Sequence, residues 1–225
     1  MIENSLLAAI PRAAYRRLLA GLEPVELVFG EILYEPGQTI GHVYFPGSSL
    51  VSLLTLADGH FALEVGLIGR DGMTGIPLVL GHKESAVRAL VQGAGTALRM
   101  EAGAFRREFR RSPRLQQELY RYTHTLMAQI SQTAACNRFH VVEQRLARWL
   151  LMTHDRVKSD RFRMTHEFLG HMLGVRRVGV TRAAQALQQR NLISYSRGDI
   201  TVLDRAGLEA ATCQCYRVIK DMHDA

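Results

Sequence analysis

Cysteine is scarce in this chain. The 225 residues include three cysteines, Cys136, Cys213 and Cys215, and none occurs in the first 135 positions. This odd, sparse count cannot supply a disulfide framework and is typical of a reducing compartment. No apolar run approaches the roughly 20 residues that a membrane-spanning helix needs. The opening Met-Ile-Glu-Asn-Ser lacks the basic and apolar regions of a signal peptide, so we expect a cytoplasmic protein with no membrane contact.

The sequence also lacks a convergent set of catalytic groups or metal ligands. His166 and His171 are five residues apart, one more than in a zinc-protease helix, so they point about 140° apart. Cys136 and His140 have helical spacing but no further ligands nearby in the sequence. The cysteines of Cys-Gln-Cys at 213–215 are two apart on a predicted helix, so we expect them to face different directions and to serve in packing. We therefore predict no metal site and no enzymatic activity.

Positive charge is concentrated in the second half of the chain. The formal net charge is +7 and the sequence pI is about 9.7. Residues 1–137 hold 13 Lys/Arg and 12 Asp/Glu, a net of +1, whereas residues 138–225 hold 15 and 9, a net of +6. A basic segment releases counterions when it contacts phosphates, which makes nucleic acid a natural partner for the C-terminal part.

Short β-rich runs separated by turn signals occupy much of the first half. The pair Asp58-Gly59 between two apolar runs is typical of a tight hairpin turn. Many short strands at close spacing predict an antiparallel sandwich or barrel. The predicted strands are Val25–Phe29, Ile32–Tyr34, His42–Phe45, Leu50–Leu56, Phe61–Ile68, Ala86–Val91 and Ala97–Met100.

A long helix is predicted to follow the strands. Ser112 would cap it and Pro113 would be its first residue. Because about 25 residues is long for a helix in a small domain, its apolar stripe is a candidate dimer seam as well as ordinary core. Asn137-Arg138 is the predicted hinge to a C-terminal domain. The stripe consists of Leu115, Leu119, Tyr122, Leu126, Ile130 and Thr133.

The helix predicted next, over residues 141–154, carries a second apolar stripe. Its members are Val142, Leu146, Trp149 and Leu150. Arg145 and Arg148 lie off this stripe.

The segment from Thr165 to Leu187 indicates two helices joined by a tight turn. Gly170 leaves room for the second helix to cross the first, and Gly174 supplies the positive φ that a three-residue turn needs. The second helix opens with Arg176-Arg177, where cations oppose the helix dipole. Because cations are unfavourable at this end of a helix, we expect these side chains to contact an anion. DNA is the natural candidate, because a helix-turn-helix places the start of its second helix in the major groove.

A β-hairpin and one closing helix are predicted to complete the chain. Residues 192–195 and 200–203 flank Ser196-Arg-Gly-Asp199, which indicates a wing with Arg197 at its tip. The closing helix is predicted over residues 205–220.

In this order of elements the chain resembles the Crp/Fnr superfamily of bacterial transcription regulators. The resemblance rests chiefly on Glu143–Met152, Leu173–Leu187 and Asn191-Leu-Ile, with a looser likeness at Tyr34-Glu-Pro-Gly37. It implies an α+β fold with three parts. These are a cyclic-nucleotide-binding-like β-roll (a jelly roll) with N-terminal helices over residues 1–111, a dimerisation helix over 112–137, and a winged helix-turn-helix domain over 138–225.

The resemblance also implies partners. A homodimer would bind double-stranded DNA at a near-palindromic operator, with half-sites about one helical turn apart. RNA polymerase is a further candidate partner.

The DNA-reading positions match the family only in part. The catabolite-activator type opens its second helix with Arg-Glu-x-x-x-Arg, where this chain has Arg177-Val178-Gly179-Val180-Thr181-Arg182. Both arginines are expected to contact guanine, while Val178 replaces the glutamate and is expected to touch a thymine methyl. Arg176 stands where a serine cap is expected and is assigned to phosphate. The full predicted DNA-binding set is Thr165, the cap of the first helix, with Arg176, Arg177, Val178, Thr181, Arg182 and Arg197.

The ligand pocket departs further from the family pattern. Cyclic-nucleotide binders carry a Gly-Glu for the ribose and an Arg-Ser for the phosphate. Here Gly72-Met73-Thr74-Gly75 and Glu84-Ser85 occupy these places, and only Ser131 matches the hydroxyl pair on the long helix. An acid facing a phosphate is repulsive, so we expect that cyclic AMP does not bind through the usual contacts. The candidate effector pocket comprises Met73, Thr74, Glu84, Ser85 and Ser131, and the effector itself is unknown.

Two other sensing chemistries bear on the function. An iron–sulfur cluster held by N-terminal cysteines, as in the Fnr branch, is excluded because no cysteine precedes Cys136. The alternative function is a small-molecule or haem sensor that acts mainly through a protein partner. Candidate haem ligands in or near the roll are His42, His60, His82 and His124.

Overall fold

The computed structural model describes residues 3–57, 61–157 and 159–224. The chain divides into two compact units. The first comprises the residues up to Thr55 together with Gly66–Met127, and the second comprises Leu56–Val65 together with the residues from Ala128 onward. Within the described ranges, no helix combines the length and hydropathy that crossing a bilayer requires.

In the described ranges, seven strands form the two sheets of a β-roll. The strands are β1 (Glu23–Leu27), β2 (Ile32–Tyr34), β3 (His42–Pro46), β4 (Leu50–Ala57), β5 (Phe61–Ile68), β6 (Arg88–Gly93) and β7 (Gly95–Glu101). Their orders are β1-β7-β3 and β2-β6-β4-β5. All seven predicted strands are confirmed, with ends shifted by two residues at most. The predicted turn Asp58-Gly59 lies outside the described residues.

Four short helices belong to the first unit: α1 (Ser5–Ala9), α2 (Arg12–Leu19), α3 (Ile76–Val79) and α4 (Ala102–Arg111). Asn4 holds α1 in place, because its buried side chain accepts from the Leu7 amide and donates to the carbonyls of Pro46 and Gly72. Glu101 caps α4 by accepting from two backbone amides, and these hydrogen bonds lower the pKa of its carboxyl group.

The long helix α5 runs from Pro113 to Phe139. Ser112 caps it as predicted, since its hydroxyl accepts from the Leu115 amide at 3.3 Å. The predicted hinge residues Asn137-Arg138 lie inside the helix, and helical backbone is interrupted only at His140 and Val141. Five of the six residues of the predicted stripe are already buried within this one chain, and Ile130 is partly buried.

The C-terminal part of the second unit begins with α6 (Val142–Val157), which packs against the later helices of that unit. Leu146, Trp149 and Leu150 are buried as the apolar stripe predicts. Arg145 and Arg148, which lie off that stripe in the sequence, are nevertheless buried. The physical reason is that α6 is a central helix with neighbours on several sides, so its polar face is covered as well.

The remaining elements of this unit are β8 (Arg161–Arg163), α7 (His166–Leu173), α8 (Arg177–Gln189), β9 (Ile193–Ser196), β10 (Asp199–Val202), α9 (Arg205–Ala211) and α10 (Gln214–Asp224). The strands form a sheet of order β8-β10-β9. The predicted single closing helix is wrong, because Thr212 and Cys213 interrupt it and leave two helices. This break determines where the cysteine side chains lie.

Candidate nucleic-acid interface

The turn between α7 and α8 depends on two glycines, as the sequence predicts. Gly174 has φ 60° at the C-terminal end of α7. At Gly170 an added Cβ would lie 2.9 Å from the Val175 carbonyl oxygen, so the backbone of the turn passes too close for a side chain. The Val175 amide donates to the Gly170 carbonyl at 2.9 Å, which fixes this approach.

Apolar contacts hold the two helices together. Leu169, Leu173, Val180 and Leu187 are all buried, and Val175 in the turn is partly buried. Thr165 caps α7 as predicted, because its hydroxyl accepts from the Phe168 amide at 3.1 Å. The buried apolar contacts and the capped start of α7 hold the first residues of α8 in a fixed position.

The first residues of α8 form an exposed basic surface. Arg176 occupies the N-cap position without a side-chain capping bond, and Arg177 is the first helical residue. Arg182 is exposed further along α8, and Val178 is 54% exposed. Among the residues that the structure describes, no carboxylate pairs with any of these three arginines.

The wing adds further positive charge. Arg197 and Gly198 form the two-residue turn between β9 and β10, and both have positive φ, 51° and 90°. A non-glycine residue in this left-handed conformation is strained by roughly 1–2 kcal/mol. Arg197 is exposed and, within the described ranges, pairs with no carboxylate. The predicted wing with Arg197 at its tip is confirmed.

Sequence reasoning missed the third strand of the wing. Arg161 and Arg163 are exposed on β8 and flank the buried Phe162, an alternation that is typical of a half-buried strand. Arg161 pairs with Asp199 at 3.0 Å, whereas Arg163 pairs with no described carboxylate. Arg163 therefore adds a fifth unpaired guanidinium to the four at positions 176, 177, 182 and 197.

Two other arginines of the same unit do have carboxylate partners. Arg190 contacts Glu143 at 3.1 Å and Arg205 contacts Asp155 at 2.7 Å. Arg138 and Arg217 are also exposed and, within the described ranges, pair with no carboxylate. The other five such arginines of this unit lie on α8, on the wing tip and on β8.

His166 is a second feature that sequence reasoning missed. Its ring stacks on Tyr195 of β9 with centroids 4.0 Å apart, and its Nδ1 lies 3.0 Å from the Thr181 hydroxyl. That hydroxyl donates to the Arg177 carbonyl at 3.1 Å, so it accepts from the Nδ1–H of His166. Burial and the nearby Arg177 guanidinium lower the pKa of His166, which favours the neutral ring. The imidazole thus connects the first helix, the second helix and the wing.

The same network includes Thr181, which the sequence assigns to the predicted DNA-binding set. The residue is partly buried and its hydroxyl is engaged on both sides by its own chain. Its observed contacts orient the start of α8.

The predicted effector residues of the roll mostly face inward. Thr74 is buried, and its hydroxyl accepts from the Tyr44 amide at 3.1 Å. The Met73 carbonyl accepts from the Tyr122 hydroxyl at 3.2 Å, and the Tyr122 ring fills the space where a Cβ on Gly72 would lie. The polar groups of this segment are therefore used within the protein.

The other predicted effector residues have different surroundings. Ser85 is buried and bonds to the backbone of Val87, whereas Glu84 is exposed. Ser131 is exposed and belongs to the second unit. A buried residue that sequence reasoning missed is Gln92, whose Oε1 accepts from Ser52 while its Nε2 has no partner among the described residues.

The candidate haem ligands have no shared site in the described ranges. His82 and His124 are exposed, and His42 is half-buried beside Tyr44. His60 lies outside the described residues.

The prediction that Cys213 and Cys215 face different directions is wrong, although both are buried as a packing role requires. Cys136, His140, Cys213 and Cys215 come together, with their potential ligand atoms all within 4.8 Å of one another. Cys213 precedes α10 rather than lying within a helix, so it and Cys215 can face the same point.

The described elements thus form, in chain order, a β-roll, a long helix and a winged helix-turn-helix. Residues 144–211 match the family described as the Crp-like helix-turn-helix domain. The chain has the fold of the Crp/Fnr superfamily of transcription regulators, and this match places its C-terminal domain among the Crp-like helix-turn-helix domains.

Solved structures support the fold over nearly the whole chain. A Crp/Fnr-family regulator from Eubacterium rectale has 17% identity and a TM-score of 0.71, with 92% of this chain and 96% of that chain covered. The c-di-GMP-responsive global regulator CLP of Xanthomonas campestris has 17% identity and a TM-score of 0.69, with coverages of 85% and 99%. FixK2 of Bradyrhizobium japonicum has 13% identity and a TM-score of 0.70, with coverages of 85% and 98%. No curated protein sequence matches the chain significantly.

Proposed function

We propose that the protein is a homodimeric, sequence-specific DNA-binding regulator of transcription. The observation that carries this proposal is the set of exposed, unpaired arginines at the start of α8 and on the wing. Guanidinium groups bind phosphates through charge-assisted, bidentate hydrogen bonds, so the phosphates of DNA can serve as partners for these arginines.

Individual residues are assigned by their place on this surface. Arg177 and Arg182 project from the first two turns of α8 and are assigned to base edges, with guanine as the preferred contact. Val178 is assigned to a thymine methyl group. Arg176 and Arg197 are assigned to phosphates, and the capped start of α7 at Thr165 offers backbone amides to another.

The proposed dimer uses a face of α5 other than the predicted stripe. The buried stripe is already occupied by the protein's own core, so it is not free for a partner. Exposed residues recur on α5 at steps of four and three, the spacing of a helix–helix seam: Tyr120, His124, Met127, Ser131, Ala134 and Arg138. Tyr120 and Met127 are 51% and 61% exposed. We assign the dimer contact to this face.

We further propose that cyclic AMP is not the effector. Thr74 and Ser85, which would have to turn toward a ligand, already bond within the protein. Glu84 adds a negative charge where the family places a cation for phosphate. Isothermal calorimetry with cyclic AMP would show no heat of binding at micromolar concentrations, and micromolar binding would contradict this part of the proposal.

Association with RNA polymerase, a cytoplasmic location and the absence of enzymatic activity are also proposed. No observation favours the haem-sensor alternative.

The test compares arginines that differ in pairing. With an operator obtained by in vitro selection, Arg177→Ala is expected to lose about 1–3 kcal/mol of discrimination at one base pair. Arg197→Ala is expected to weaken all sequences alike and to reduce the salt slope by about one. The control is Arg190→Ala, because Arg190 lies at the C-terminal end of α8 and is paired with Glu143 of α6. This variant should change neither quantity. Equal losses in all three variants would contradict the proposal.

A further inference from the structure

Three cysteines and one histidine converge in the second unit. Cys136 and His140 lie one helical turn apart, where α5 ends. Cys213 and Cys215 lie where α10 begins. The Sγ atoms of Cys136 and Cys213 are 3.5 Å apart, and the Sγ of Cys215 is 3.5 Å from Nδ1 of His140. All four candidate ligand atoms lie within 4.8 Å of one another.

Local backbone structure explains this convergence. His140 directly follows α5, and its amide donates to the Cys136 carbonyl at 3.1 Å as in a further helical turn, so the side chains at 136 and 140 lie on one face. Cys213 lies in the break between α9 and α10, and Cys215 lies in the first turn of α10. A residue outside the helix does not follow the helical rotation of 100° per residue, so both thiols can point toward the end of α5.

We propose that these four side chains form a tetrahedral metal site for Zn²⁺. Three cysteines and one histidine are an established structural zinc set, with Zn–S of about 2.3 Å and Zn–N of about 2.0–2.1 Å. Tetrahedral angles at those bond lengths give S···S edges of roughly 3.8 Å and S···N edges of roughly 3.5 Å. The separations in this cluster require only small side-chain movements to meet these values. A cluster of several iron atoms sits between its ligands and needs more widely spaced sulfur atoms.

Burial of the cluster fits a structural site. Cys136 and Cys215 are 0% and 1% exposed, and Cys213 is 7% exposed. His140 is partly exposed and binds as neutral imidazole through Nδ1. Each thiol that coordinates the ion releases its proton to solvent, and no electron transfer is involved.

The electrostatic surroundings favour thiolates. Arg145 and Arg148 are buried in the same unit without a carboxylate partner among the described residues, and their Nε atoms have no hydrogen-bond partner there. Three thiolates on one Zn²⁺ carry a net charge of −1, which compensates buried guanidinium groups.

A bound ion would connect the end of α5 to the start of α10. In the sequence, two of its ligands precede α6 and the other two follow α9. A cavity of about 520 Å³ adjoins Cys213 and is lined in part by Thr212, Arg217 and Lys220. This site does not depend on the proposed DNA-binding function.

The first experiment titrates Co²⁺ into the reduced, chelator-treated full chain. Tetrahedral thiolate coordination is expected to give intense visible d–d bands and a sulfur-to-cobalt charge-transfer band that saturate at one ion per chain. Zn²⁺ should then displace Co²⁺ stoichiometrically. Absence of these bands, or saturation only with a large excess of cobalt, would overturn the proposal. Formation of a Cys136–Cys213 disulfide with no metal uptake would overturn it as well.

Variants and spectroscopy make the test specific. Cys213→Ser and His140→Ala are expected to weaken binding more than about 100-fold, beyond the 10–100-fold that outer-shell changes cause. His82→Ala, an exposed histidine of the first unit, is the matched control and should bind like the wild type. Circular dichroism verifies the fold of each variant. X-ray absorption at the zinc edge of the wild-type protein requires no variant, and it should show three sulfur and one nitrogen neighbour. A shell of only oxygen and nitrogen would overturn the assignment.

Discussion

Replacing Gly170 by alanine tests the geometry on which the proposed DNA surface rests. Alanine favours a helix over glycine by about 1 kcal/mol, so propensity alone predicts stabilisation. The new Cβ would lie 2.9 Å from the Val175 carbonyl oxygen and 3.6 Å from the Arg177 amide nitrogen. Both are backbone atoms, so the turn itself must move. Overpacking of this kind costs about 1–3 kcal/mol, and the Val175–Gly170 hydrogen bond weakens as well.

The expected net effect of Gly170→Ala is a loss of about 1–2 kcal/mol in the free energy of unfolding. Trp149, the sole tryptophan, is buried and donates to Glu64 at 2.9 Å, so its fluorescence reports urea unfolding of this unit. Gly179→Ala is the matched control on α8, because its Cβ would meet its nearest atoms only at 4.0 Å. That variant should gain about 0.5–1 kcal/mol. Equal stabilisation by both alanines would refute the close approach at Gly170.

Three further predictions concern the wing, the histidine and the dimer. The pKa of His166 in the folded protein lies below its ordinary value of 6.5, so the contribution of His166 to stability is complete above about pH 6.5 and declines as the pH falls below that value. His166→Gln should flatten this decline of the free energy of unfolding in urea titrations. An unchanged dependence on pH in the variant would contradict the prediction. Arg197→Gly should raise the free energy of unfolding by roughly 1 kcal/mol, since glycine adopts the positive φ at this position without strain. The same variant should weaken DNA binding for every sequence. A lower free energy of unfolding in this variant would argue against strain at Arg197. Met127→Glu should convert the dimer to a monomer in sedimentation equilibrium, whereas Leu80→Glu, at a similarly exposed apolar residue, should not. A persistent Met127→Glu dimer places the contact elsewhere.

Local chemistry made much of the fold predictable from the sequence. The sequence predicts Ser112 and Thr165 as helix N-caps, and both caps are observed. Gly174 has the positive φ that a tight turn requires, and the Arg197-Gly198 turn joins two strands at the expected place. Each of these features depends on a few neighbouring residues, so sequence spacing determines it.

The remaining features depend on tertiary contacts. Arg145 and Arg148 are buried because helices surround α6 on several sides, which no stripe on α6 itself reveals. The cysteine cluster joins residues 77 positions apart, and it depends on a helix break at Thr212 that carries no glycine or proline. The apolar stripe of α5 did predict a buried face, but periodicity alone does not distinguish a protein's own core from a partner helix.

The most direct measurement is selection of duplex DNA from a random library by the purified full chain, followed by binding of the selected sequence at several salt concentrations. A homodimeric DNA-binding regulator should enrich a near-palindrome with half-sites about one helical turn apart, bound by two chains. Its affinity should fall steeply with salt, and Arg177→Ala should relax the preference at one base pair of each half-site. Recovery of no common sequence, or of a site whose affinity Arg177→Ala and Arg182→Ala leave unchanged, would contradict the proposed function.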